Sequence, residues 1–117
     1  MISVQRARRL VLALPEVAEQ DHHGFPSFRV GGRIFATQPD ARHFNIMLDE
    51  SAIRAATGTD PDGCEELWWG TRLRGVRVDL TRIQPVLFAD LVGDAWQRKA
   101  PTRLVSARVR GPRLESA

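Results

Sequence analysis

The chain has a single cysteine, Cys64, among its 117 residues. An intramolecular disulfide is therefore excluded, and a reducing, cytoplasmic setting is the expectation. No apolar run approaches the ~20 residues a membrane span needs. Arg6, Arg8 and Arg9 interrupt the segment where a signal peptide would carry its apolar stretch, so no membrane partner is expected. Lysine is almost missing: Lys99 is the one lysine among 17 basic residues, and the rest are arginine. The motifs that announce chemistry are missing too. There is no Walker loop, no Gly-x-Gly-x-x-Gly fingerprint, no Ser-His-Asp arrangement, and no Cys-x2-Cys or His-x3-His clamp.

What is present describes one small domain. A hydrophobic share of 43% with 26% charged residues is ordinary for a globular protein. At this length the chain builds one core and leaves little room for an internal active site. The net charge of +3 is unevenly placed. Residues 98–117 carry six basic side chains against Glu115, a balance of +5, whereas residues 1–97 set eleven basic against thirteen acidic, a balance of −2. The basic character thus belongs to the end of the chain, and the body is close to neutral.

Periodicity places the elements. Ser3 reads as the cap of a helix whose stripe is Ala7, Leu10, Val11 and Leu14, ended by Pro15. Residues 16–24 are polar and read as a loop. Phe25 to Thr37 reads as a β-hairpin closed by Gly31-Gly32, a pair that supplies the positive φ angles of a tight turn. In a two-residue hairpin Val30 opposes Arg33 and Phe28 opposes Phe35, leaving Arg29 beside Ile34 on the other face. Phe44, Ile46 and Leu48 alternate with polar neighbours in a third strand, and Asp49 caps a short helix ended by Gly58. Cys64 to Trp69 and Val76 to Leu80 form a second hairpin. Trp68 and Trp69 alternate faces there, one under the last helix and one exposed. Gln84-Pro85 opens that helix, with the stripe Phe88, Leu91, Val92, Ala95 and Trp96. The fold class is α+β in the order α-β3-α-β2-α, an antiparallel sheet with helices packed on one face. The domain spans residues 1–101, and residues 102–117 read as a basic, flexible tail.

The segments Leu14-Pro15-Glu16-Val17, Gly24 to Thr37, Trp69-Gly70, Arg77-Val78 and Asp94-Ala95-Trp96, in this order, resemble the MmcQ/YjbR family of small bacterial proteins. The resemblance covers roughly residues 3–104. It implies the α-β3-α-β2-α order, a likeness to type III secretion chaperones, and a double-wing arrangement of two projecting β-hairpins to which the DNA-binding label of the family is tied. The chain departs from the family pattern at Arg74-Gly75 and in the segment Asp21 to Pro26, where Phe25 is aromatic; both read as loop positions open to a ligand.

The wings carry the candidate nucleic-acid contacts. Arg29 and Arg33 of the first hairpin, Arg72, Arg74 and Arg77 of the second, and Arg103, Arg108 and Arg110 of the tail offer the extended arginine display that phosphates require. The competing reading is a solvated sheet face, and Asp79 shares a face with Arg77 and should partly cancel it. His22, His23 and His43, with Asp21 and Asp40, are metal-ligating residue types at the wrong spacing, so neither a metal nor another cofactor is expected. Cys64 lies beside Glu65 and Glu66, without the positive neighbours that activate a thiol. The sequence therefore reads as a non-enzymatic protein that binds DNA weakly and without strong sequence preference. The alternative is a module that binds a protein or small molecule through its sheet face and loops.

Overall fold

The computed structural model describes residues 1–108. Its elements in chain order are α1 (Val4–Leu12), β1 (Ala18–His22), β2 (Phe25–Val30), β3 (Arg33–Thr37), β4 (His43–Met47), α2 (Glu50–Thr59), β5 (Cys64–Trp69), β6 (Arg72–Asp79) and α3 (Pro85–Lys99). The strands form one antiparallel sheet in the order β1-β2-β3-β4-β6-β5. Helix α3 lies against β3 and β4, α2 against β5 and β6, and α1 against α3. The helices share one core with the strands, so one face of the sheet is covered and the other is left open.

Local chemistry accounts for most of these elements. The Ser3 hydroxyl accepts from the Arg6 amide at 3.1 Å, and Asp49 likewise accepts from Ala52 at 2.9 Å. Gln84 stands at the cap of α3 with Pro85 in its first turn, and all five residues of the expected stripe are buried. Phe44 lies between Phe28 and Phe88, stacked on the first and edge-on to the second. Gly31 and Gly32 both take positive φ, as the hairpin turn demands. Gly31 is also pressed onto the residues just after α3: a Cβ there would lie 3.1 Å from the ring of Pro101. The tip of the β2–β3 hairpin is therefore docked at the C-terminal end of α3.

Five expectations are corrected. Residues 18–22 are a strand, not a loop, which makes the order α-β4-α-β2-α. This edge strand is polar and exposed on both faces, so it carries no alternation to read. Phe28 pairs with Ala36 and not with Phe35, because a bulge adds one residue to β3; Phe35 and Ala36 are then both buried on the core side. Gly58 lies within α2 and does not end it. Trp68 and Trp69 are both about half exposed, at 49% and 52%, because α3 packs chiefly on β3 and β4 and not on β5. The tryptophan buried by α3 is its own Trp96.

The fifth correction concerns the tail. Residues 102–108 are helical. The Pro101 carbonyl accepts from Leu104 and Val105 at 3.0 and 3.2 Å, and Leu104 joins the core. Two adjacent apolar residues are too few to show a period, yet they suffice to cover one end of the core. Arg110 and Arg113 lie outside the described residues.

Candidate functional site

The open face of the sheet is not flat. A twisted sheet lifts diagonally opposite corners toward the same side, and here the corners are Phe25 with His22 on β1–β2 and Trp69 on β5. Between them lies a concavity of about 520 Å³. Alternation opposite to the core supplies its floor: Ile34 and Thr37 from β3, and Asn45 and Met47 from β4. Asn45 is the notable floor residue, because its side-chain oxygen is buried and has no hydrogen-bond partner among the described residues.

The antiparallel register puts the β2–β3 and β5–β6 turns at the same end of the sheet, on either side of β4. Two wings thus flank one groove, and the cations collect there. Arg29, Arg33, Arg74 and Lys99 line it, with no carboxylate among the lining residues. None of the four is in an ion pair among the described residues. Arg29 is steadied by Ser27, whose hydroxyl accepts from its Nε at 3.4 Å and donates to the Gln20 carbonyl. Arg74 lies 5.0 Å over the ring of Trp69. The Lys99 ammonium is pushed below its ordinary pKa by burial first, then by the charges of Arg33 and Arg74. That crowding is the local signature of an uncompensated positive field, which an anion would relieve.

The other predicted arginines are elsewhere. Arg72 is exposed beside the second turn and does not line the groove. Arg77 lies at the opposite end of the sheet, within 3.5 Å of Asp40 and 3.8 Å of Glu65. It is neutralised, though not by Asp79, which the sequence had assigned to that role. Asp79 is taken by Arg42, at 3.1 and 2.8 Å, and by the Thr81 hydroxyl and amide. Arg103 pairs with Glu16 at 3.0 Å, and Arg108 lies 5.4 Å over Trp96. Both hold the C-terminal helical segment in place, so removing residues 102–117 would disturb the core as well as the charge. Arg110 lies outside the described residues.

The acidic end has its own consequence. Arg42 first, with Thr81, holds the Asp79 carboxyl well below the usual carboxylate range. A carboxyl whose pKa is depressed by folding stabilises the protein at neutral pH and loses that contribution as pH falls through and below ~4. Asp79→Asn should be less stable than the parent at pH 7 and should lose less of its remaining stability on acidification. Thermal midpoints followed across that range check this, and parallel acid profiles for the two proteins would refute it.

Cys64 is buried at the same end, and burial pushes its thiol up to about 11. His43 is held by Asp40 at 3.0 Å, while His22 and His23 contact each other edge to face. Among the described residues no three His, Cys, Asp or Glu side chains gather as a metal site would need, and no helix is long and apolar enough to cross a membrane.

Sequence reasoning named Arg29, Arg33 and Arg74 as contacts and the segment holding His22 and Phe25 as open to a ligand, but it missed Lys99 and Asn45 as parts of the same surface. The alternation of Asn45 and Met47 against Phe44 and Ile46 was the available signal for the floor. Both departures from the family pattern touch the groove: Phe25 and Arg74 line it, each from a strand and not from a loop. A family model described as YjbR matches residues 12–98, a span that takes in every lining residue but Lys99. No curated protein and no solved structure matches the chain.

Proposed function

The chain belongs to the YjbR family, and from that premise we propose that it is a non-catalytic DNA-binding module whose contact surface is the groove between the two hairpins. One observation carries the reading: four cations from four separate elements converge on one concavity with no carboxylate among its described lining residues. Such a cluster binds phosphates by neutralising them and releasing their counterions. The raised thiol pKa of Cys64 is in keeping with a role that makes no use of a nucleophile. Four contacts at most imply a shallow salt dependence, with a log–log slope of about −3 to −4, and a Kd near ~10⁻⁴–10⁻⁶ M at physiological salt.

Charge reversal tests it. Arg33 is exposed and Arg74 half-buried, and neither has an acidic partner among the described residues, so R33E/R74E should retain the parent thermal midpoint. It should lose detectable DNA binding by fluorescence anisotropy even at about 50 mM salt, where electrostatic association is strongest. Undiminished binding by this variant would remove the groove from consideration. A second reading, a small anionic ligand in the same groove, is favoured by its volume, which lies within the ~300–1,000 Å³ of ligand pockets. In that case affinity for oligonucleotides would not rise with their length.

A further inference from the structure

We infer that the groove takes single-stranded nucleic acid, with an unpaired base stacked on Trp69, in preference to duplex. This rests on the DNA-binding reading and specifies the form of the ligand. A duplex presents phosphates outward and keeps the faces of its bases stacked inside. It would satisfy the hairpin arginines but leave the rest of the surface without a partner. That remainder is built for something else. Trp69 is half exposed at the lifted corner of β5, and the Arg74 guanidinium over its ring orients it. Phe25, edge-on to His22, stands at the opposite corner.

Across the strands the two corners are four strand spacings apart, about 19 Å, and they are offset along the strands as well, with the floor between them. A strand that reaches from one aromatic to the other therefore crosses Thr37 and Asn45. Asn45 lines the floor on that path, and its side-chain oxygen, buried beneath the surface, has no hydrogen-bond partner among the described residues. A basic rim around aromatic platforms is the arrangement by which sheet surfaces hold single strands: phosphates meet the cations, and base faces meet the rings. Sequence preference from such a surface is modest, because every base has a π-face.

The test uses the full chain and three probes: a short oligothymidylate, a duplex of the same length, and inorganic polyphosphate of similar charge. The oligothymidylate should bind more tightly than either of the others. Trp69→Ala should weaken its binding roughly five- to hundredfold, the range of one base–aromatic stack, while polyphosphate binding stays unchanged and so reports an intact rim. Trp69→Phe should restore most of the loss, and Trp68→Ala, which removes the neighbouring exposed ring, should have no effect. Duplex binding as tight as single-strand binding, or a Trp69→Ala variant that holds the oligothymidylate like the parent, overturns the inference. If R33E/R74E abolishes binding in the same series, the DNA reading survives that failure. If the parent binds none of the nucleic acids, both fall.

Discussion

Gly75→Ala should cost this protein its native sheet. Gly75 is buried in the middle of β6, opposite Met47 on β4 and Leu67 on β5. A Cβ there would meet the Ile46 carbonyl oxygen first, with the Ile46 carbonyl carbon at 2.9 Å and the Met47 Cα at 3.1 Å. All three are backbone atoms of a central strand, so no side chain can swing aside. Relief requires β4 and β6 to separate where they pair. The expected loss exceeds the ~1–3 kcal/mol typical of side-chain overpacking, out of a total stability on the order of 5–15 kcal/mol. Gly58→Ala is the matched control. Gly58 is helical, with nothing within 4 Å of the added carbon and an ordinary φ, so alanine should stabilise by about 0.4–1 kcal/mol. Urea unfolding of the two variants measures both. A Gly75→Ala protein with the parent midpoint would falsify the β4–β6 pairing described above.

Trp96→Ala should be nearly as damaging, for a different reason. The ring is fully buried, and its Nε1 donates to the Pro15 carbonyl at 3.0 Å, tying α3 to the turn that follows α1. Truncation leaves a cavity and an unpaired, partly buried carbonyl together, a loss of about 3–5 kcal/mol. In a domain of this size the thermal midpoint should fall on the order of 10–20 °C. Trp96→Phe separates the two contributions, because it fills most of the volume and removes only the N–H donor. Equal losses from the two variants would show that the hydrogen bond, and not the cavity, dominates.

Neither residue lies in the groove, yet both help to place it. Gly75 lets β4 and β6 approach closely beneath Met47 and beside Arg74. Trp96 anchors the helix whose last turn presents Lys99. The groove is thus a consequence of core packing on the opposite face of the same sheet. Variants that disturb the core are expected to weaken binding along with stability, whereas R33E/R74E and Trp69→Ala are expected to separate the two.

The sequence by itself determined whatever depends on near neighbours. The Gly31-Gly32 turn, the stripe of α3, the alternation in β4 and β6 and the caps at Ser3 and Asp49 are local patterns, and each is present in the structure. Helices on one face of an antiparallel sheet followed from element order and spacing. Tertiary structure alone decided the rest. β1 carries no periodicity because both its faces are exposed, and only hydrogen bonding to β2 makes it a strand. The bulge at Phe35 depends on how Phe28 and Ala36 meet in the core. Arg77 looked as available as Arg74 until Asp40, a residue from a different loop, was brought beside it. Lys99 looked like part of a basic tail until Gly31 packed on Pro101 and set the hairpin tip against the end of α3. Charge type is written in the sequence, but an effective charge depends on which counter-charges the fold brings within a few ångströms, because Coulomb attraction at that range outweighs anything farther along the chain.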